Sequence, residues 1–252
     1  MQEANFQFRD KVALVTGATG GIGRAIVGTL ASHGAAVVVP WGRSADRSSA
    51  KADAVVREIV ERGHHAVAIE ADLANVQEIR ALYAAAVRWR GRLDIVVNCA
   101  GVQMEAPVAE FSETDYDRLF AINTKGVFFS LQEAARVVER GGRIINVSSG
   151  STNVARPGNS VYGGSKSAVE YFTRALAWEL ASRDITVNTV SPGLTDTPMI
   201  NDELRRIGVM KSPFRRLGRP EDVADVILLL ASQEARWITG QNIMATGGSE
   251  IR

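Results

Sequence analysis

The feature that most constrains this chain is a rhythm of short apolar runs alternating with longer helical stretches. The short, β-branched runs fall at Val12–Thr16, Ala36–Val39, Ala66–Glu70, Leu93–Asn98, Arg143–Ser148, Thr186–Val190 and Asn242–Ala245. Most are apolar almost throughout, as strands buried on both faces of a parallel sheet must be. Between them, Ile22–His33, Asp46–Arg62, Asn75–Trp89, Thr114–Arg140, Val161–Arg183 and Pro220–Gln233 carry helical periodicity. Alternation of this kind predicts a doubly wound α/β fold, with seven parallel strands flanked by helices through right-handed crossovers. Gly34 and Gly63 follow two of the helical stretches and suit left-handed caps. Pro220, followed by Glu221 and Asp222, suits a first helical turn. The spacing is even, so residues 1–252 read as one domain. Only Leu194–Gly218 breaks the rhythm and reads as an irregular loop covering a substrate.

Composition narrows the function classes. A net charge of +1 gives no global pull toward nucleic acid or a membrane surface. Cys99 is the single cysteine, so no intrachain disulfide forms, which suits a reducing compartment. Met1–Asp10 lacks the apolar core of a signal peptide, and no run is long enough to span a bilayer, so a cytoplasmic protein is expected. His33, His64 and His65 lack metal-ligand spacing, and no metal is expected.

Chemistry enters where the first strand ends. Thr16-Gly17-Ala18-Thr19-Gly20-Gly21-Ile22-Gly23 runs from that strand into a helix. Glycine there allows a sharp turn, close approach of backbone to a pyrophosphate, and tight helix–sheet packing. The helix N-terminus then offers free N–H groups to the phosphates. A glycine-rich turn with no ligand has the same composition; its place after the first strand favours a Rossmann-type dinucleotide site.

The same residues resemble the TGxxxGxG signature of the short-chain dehydrogenase/reductases. The resemblance runs from about Lys11 to Gly248 and recurs, in the family's order, at Asp72-Leu73, Asn98-Cys99-Ala100-Gly101, Asn123, Ser149, Tyr162-x-x-x-Lys166 and Pro192-Gly193-x-x-x-Thr197. It implies that Gly17, Thr19, Gly21, Ile22 and Gly23 hold the cofactor phosphates. It implies that Asp72 and Leu73 bind adenine, that Asn98, Ala100 and Gly101 lie near a ribose, and that Pro192, Gly193 and Thr197 flank the nicotinamide side. Read alone, Asp72 is a helix N-cap ahead of Asn75–Trp89. Cys99 stands where the family often has a second Asn, and its own chemistry reads as a small buried hydrophobe.

The end of the second strand bears on NAD against NADP. An acidic residue there would bind the ribose hydroxyls of NAD and repel a 2′-phosphate. Here the position is Trp41, followed by Gly42-Arg43-Ser44. Arg43 can pair with a phosphate and Ser44 can donate to it, which favours NADP(H), with NAD(H) as the alternative. Gly20, where many NADP users carry a cation, argues the other way, and Arg43 as a solvated loop residue is the plainer reading.

Tyr162 and Lys166 lie one helical turn apart on one face. Reducing a ketone needs a proton at the developing alkoxide, and a free tyrosine, with a pKa of about 10, gives and regains one poorly at neutral pH. A neighbouring ammonium is expected to lower it. Tyr-x-x-x-Lys alone is more often a plain helix surface. Ser149, at the carboxyl end of the fifth strand, is where ligands sit in open α/β sheets, and its hydroxyl is expected to hold the substrate oxygen. Ser148 is expected to point to the other face. The resemblance assigns Asn123 as the fourth catalytic residue, kinking its helix and holding a water that relays protons to Lys166. By itself, a buried helix Asn bonding its own backbone is the default.

Gln103, Asn159 and Val161 are expected to line the substrate pocket by position. Arg205, Arg206, Lys211, Arg215 and Arg216 make the 194–218 loop basic, which allows an anionic substrate or a solvated lid. Arg140 and Arg183 fall where 3-oxoacyl-carrier-protein reductases dock their acidic partner, so an acyl carrier protein is a further partner to test. The leading expectation is an NADPH-dependent carbonyl reductase of 3-oxoacyl type. A sugar or alcohol dehydrogenase and a non-catalytic dinucleotide sensor are the alternatives. Relatives are usually homotetramers built through helices matching Thr114–Arg140 and Val161–Arg183, the second of which carries Tyr171, Phe172 and Trp178.

Overall fold

The computed structural model describes residues 7–42 and 49–250. The apolar runs become β1 (Val12–Thr16), β2 (Ala36–Trp41), β3 (Ala66–Glu70), β4 (Ile95–Asn98), β5 (Arg143–Val147), β6 (Thr186–Pro192) and β7 (Asn242–Ala245). They form one parallel sheet in the order β3-β2-β1-β4-β5-β6-β7. Thr16 pairs with Asn98 across β1–β4, and Asn98 with Asn146 across β4–β5. The order reverses between β1 and β4, so a crevice opens there at the carboxyl ends of the strands.

Side chains alternate across the pleat and feed two cores. Ala13 and Val15 of β1 pack with α1 (Gly21–Ser32), α2 (Ser49–Glu61) and α8 (Pro220–Ala231), through Ile26, Leu30, Val55, Ile59 and Ile227. Val12 and Leu14 face the other way, toward α3 (Val76–Arg90), α5 (Val127–Val137) and α6 (Ser160–Leu180), through Ile79, Leu82, Leu131 and Val169. Each such side chain, fully buried, contributes about 1.5–3 kcal/mol, and near-complete burial on both faces is why β1, β2 and β4 carry no polar alternation.

Local signals explain most boundaries. Gly34 and Gly63 take positive φ, +97° and +83°, as left-handed caps. Pro220 opens α8, whose first turn is closed by Asp222 accepting from the Arg219 N–H at 2.6 Å. Asp72 does not cap α3. Asn75 does, accepting from the N–H groups of Gln77 and Glu78, because Asp72 Oδ1 is already engaged by the Ala74 N–H in a tighter turn.

Two expectations change. The stretch Thr114–Arg140 is not one helix: α4 (Glu113–Phe120) passes through a π-helical turn, Ala121–Gly126, into α5, which ends at Val137. The segment Leu194–Gly218 is not wholly irregular, for it contains α7 (Asp202–Lys211). Asn201 caps α7 through the Leu204 N–H, with Asp202 and Glu203 in the first turn and Lys211 in the last. Among the described residues no helix is long and apolar enough to cross a membrane.

Candidate active site

A cleft of about 620 Å³ lies over the carboxyl ends of β1, β4 and β5. Its first wall is the β1–α1 loop. Gly17, Thr19, Gly21, Ile22 and Gly23 line it, and α1 begins without any side-chain cap or acidic residue in its first turn. That leaves N–H groups turned to the cleft, the arrangement that receives a phosphate. Two glycines are sterically required. Gly17 has φ +70°, and a Cβ there would sit 2.9 Å from the Ala100 backbone. A Cβ on Gly23 would come within 2.1 Å of the Gly17 carbonyl oxygen. Thr16 Oγ1 accepts from the N–H groups of both Cys99 and Ala100 at 3.1 Å, tying the mouth of β1 to that of β4.

Leu73, Ala100, Gly101, Pro192, Gly193 and Thr197 also line the cleft, as does Trp41 at the end of β2. Thr197 packs directly against Gly21. Arg43 and Ser44, on which the phosphate preference turned, lie outside the described residues. Lys51, from the first turn of α2, lines the cleft and was not singled out from sequence, since nothing in a helical Lys announces which way it faces. Asp72 is exposed and does not line the cleft.

Asn98 does not line it either. Its amide donates to Asn146 Oδ1 at 2.8 Å, and its oxygen accepts from Ser130 Oγ at 2.5 Å. Ser130 also bonds Tyr83 OH, and Asn146 continues to Thr173 and Thr189. This buried polar chain crosses from α3 through the sheet to β6. Every one of these side chains has a partner, so it braces the strands at little cost. Cys99, expected to be a small buried hydrophobe, is half-buried, packs against the core and also lines the cleft, and burial raises its thiol pKa to about 11 and keeps it neutral.

The second wall carries titratable groups. Ser149, Tyr162 and Lys166 all line the cleft. Ser148 Oγ bonds Glu170 Oε1 at 2.7 Å, so its hydroxyl is spent on α6. Ser149 Oγ accepts from the Ser151 N–H and hydroxyl and faces the same cleft as Tyr162. Lys166 Nζ donates to the Val147 carbonyl at 3.0 Å and lies 6.0 Å from the centre of the Tyr162 ring. Burial lowers its pKa to about 8. The expected depression of Tyr162 by Lys166 is not found. Burial dominates and pushes the phenol above its ordinary value, with Ser149 and then Arg156 opposing the shift. The ammonium points to a backbone carbonyl rather than to the phenol, which is the physical reason.

Asn123 is fully buried within the π turn and stands behind the cleft, not in it. Its amide does not bond its own helix: it pairs with both the N–H and the carbonyl of Val102, at 2.9 and 2.8 Å. A Cβ on Gly101 would touch Lys166 Nζ and Asn123 Oδ1 together, so the two side chains meet behind that glycine.

Of the substrate-pocket expectations, Gln103 lines the cleft and Asn159 and Val161 do not. Asn159 is buried with neither side-chain polar atom bonded. None of the five basic residues of the 194–218 segment lines the cleft. Arg205 is held by Asp196 and the Thr197 carbonyl, and Arg216 by Asp222. Among the described residues no three His, Cys, Asp or Glu side chains gather as a metal site.

Comparison with known proteins places this geometry. Residues 17–250 match the family model described as enoyl-(acyl carrier protein) reductase. An uncharacterised oxidoreductase of Methylorubrum extorquens is 44% identical over 94% of this chain and 97% of its own. A short-chain dehydrogenase from Burkholderia cenocepacia, solved in complex with NADP, is 34% identical with TM-score 0.91, covering 97% of this chain and 100% of its own. The landomycin C-6 ketoreductase, solved with bound NADP and rabelomycin, is 40% identical with TM-score 0.87, covering 97% and 98%. With the glycine loop, the parallel sheet and the Ser149–Tyr162–Lys166 wall, these likenesses make the chain an oxidoreductase that belongs to the short-chain dehydrogenase/reductase family.

Proposed function

We propose that this protein is an NADPH-dependent reductase of a small-molecule ketone. The observation that carries the reading is the convergence of Ser149, Tyr162 and Lys166 on one wall of a cleft whose other wall is a phosphate-receiving glycine loop. A nicotinamide dinucleotide bound along Gly17–Gly23, with Leu73, Trp41 and Thr197 around it, supplies the hydride.

The chain's own residues do the rest. Ser149 and Tyr162 present two hydroxyls to a carbonyl oxygen, and Tyr162 holds the proton that the developing alkoxide takes. A phenol raised by burial is fully protonated at neutral pH, which is the form reduction needs. Lys166, titrating at about 8, is the nearby group able to return a proton to the site. Asn123 fixes Val102 and the floor of the cleft.

Three observations support NADP(H). Trp41, not a carboxylate, ends β2. Lys51 adds a cation to the cleft lining. The Burkholderia and landomycin proteins bind NADP. The two arginines that a carrier protein would meet differ in how they are held. Arg183 is spent on the carbonyls of Ala135 and Val138, and Arg140 pairs with Asp184 at 2.5 Å. A homotetramer joined through α5 and α6 fits Tyr171 and Trp178, 66% and 87% exposed on α6.

The test is Tyr162→Phe, assayed for NADPH-dependent ketone reduction beside a fluorescence titration with NADPH and NADH. Turnover is expected to fall by about 10²–10⁴-fold, with NADPH binding kept and preferred over NADH. Unaltered turnover sinks the role of Tyr162, and a preference for NADH overturns the cofactor reading.

A further inference from the structure

The arginines that the sequence offered as anion or carrier contacts lie outside the cleft, and four of them are engaged elsewhere. Arg205, Arg216 and Arg140 are paired with carboxylates, and Arg183 caps backbone carbonyls. Arg156 is different. It lines the cleft, is partly buried, and its guanidinium has no carboxylate or hydrogen-bond partner among the described residues. A partly buried, unpaired guanidinium forgoes both full hydration and an ion pair, so a partner of opposite charge gains more there than at an open surface.

The backbone holds Arg156 in place. It belongs to the segment between Ser149 and Tyr162, so it enters from the catalytic wall rather than from the glycine loop. Its carbonyl accepts from the Asn159 N–H at 3.2 Å, and Pro157 restricts its own backbone. Two residues on, Gly158, at φ +78°, accepts from the Ala106 N–H at 3.0 Å, which latches the turn to the loop after β4. Its charge favours the phenolate at the Tyr162 hydroxyl, and the Glu105 carboxylate opposes it there. Nearby carboxylates form no ion pair with Arg156. Glu105 is engaged by the Gln103 amide at 2.8 Å, and Glu250, which lines the cleft beside Gly150, forms no ion pair with it.

We propose that Arg156 is a specificity residue that clamps a carboxylate carried by the substrate, so that the preferred ketones are keto acids. A guanidinium matches a carboxylate with two parallel N–H donors, a geometry that an ester or a bare ketone cannot return. The proposal rests on the ketone-reductase reading for what the acid is attached to; the clamp itself is a binding claim and is tested as one.

The probes are 4-acetylbenzoate and its methyl ester, titrated by calorimetry into protein saturated with NADP⁺, where no reduction takes place. The acid is expected to bind at least about tenfold more tightly than the ester. Arg156→Gln should bring that ratio near one, and Arg156→Lys, which keeps the charge but loses the fork, should leave it in between. A ratio that survives in Arg156→Gln overturns the clamp, as does wild-type protein that binds the ester as well as the acid or fails to bind the acid. In Tyr162→Phe the acid preference should persist. Wild-type protein that keeps the preference but reduces neither ketone with NADPH refutes the reductase reading and leaves the clamp standing.

Discussion

The glycine loop between β1 and α1 and the wall of Ser149, Tyr162 and Lys166 face the same cleft but are made of opposite materials. The loop works through the absence of side chains: its N–H groups, a left-handed Gly17 and the close approach of Gly23 to the Gly17 carbonyl define its shape. The wall works through side chains removed from water: Lys166 is 4% exposed and bonds only a backbone carbonyl. The loop is therefore vulnerable to added volume, while the wall holds a charge that the folded state pays to bury. Recognition by shape and chemistry by charge fail in different ways, and the two can be broken separately.

The largest effect should come from adding one methyl to the loop. Gly23→Ala places a Cβ about where the Gly17 carbonyl oxygen stands, so the turn itself must move. NADPH affinity, read by fluorescence titration, should fall at least about 100-fold, or close to 3 kcal/mol. Binding within a few-fold of the parent protein would mean that the loop tolerates repacking, and the claim that it acts through shape would be wrong.

The wall should respond the other way. A free lysine titrates at 10.5 and Lys166 at about 8. Between those values the unfolded chain binds the proton that the folded chain has released, so stability climbs with pH from about 8 to 10.5. Below about 8 the folded state carries the whole cost of a charged, buried lysine. Lys166→Met should therefore raise stability at pH 7, by about 1–3 kcal/mol on the scale of 1.36 kcal/mol per pKa unit, and should abolish the climb. Denaturant melts at pH 7 and pH 10 decide it; a variant less stable than its parent at pH 7 would show that the bond to Val147 outweighs the buried charge. In the parent enzyme, kcat/KM for reduction should fall above a limb near pH 8 if the protonated lysine is the working form.

The same contrast separates what was legible in the sequence from what was not. The central strands β1, β2 and β4 were visible because burial on both faces demands apolar runs, the others because β-branched runs recur in the same rhythm, and the loop was visible because only glycine fits it. Asn98 shows that a motif gives position along a chain and not the side of the pleat. Its amide turns inward to Asn146 and Ser130, and the next residue, Cys99, takes the cleft. A kink at Asn123 was expected from the resemblance; its form, a π turn with the amide bonded to Val102, depends on a contact that the local sequence does not show. α7 had its signals, an Asn cap and flanking charges of the correct sign, but a weak apolar stripe. Arg156 was illegible in principle: what distinguishes it is that, among the described arginines, it lines the cleft, and that placement exists only in three dimensions.

The smallest effect sharpens the comparison within a single helix. Gly28 lies in the same α1 as Gly23, with ordinary helical backbone and nothing within 4 Å of where a Cβ would project. A mid-helix glycine costs backbone entropy on folding and shields no backbone from water. Gly28→Ala should therefore stabilise the protein by about 0.4–1 kcal/mol and leave NADPH affinity unchanged. A thermal melt and the same titration read both. If Gly28→Ala weakens the cofactor as Gly23→Ala does, then the whole of α1, not its first turn, sets the phosphate site. If only Gly23 matters, the binding function of this helix is confined to the turn where its N–H groups are free, and the rest of α1 is packing that the enzyme can improve without touching its chemistry.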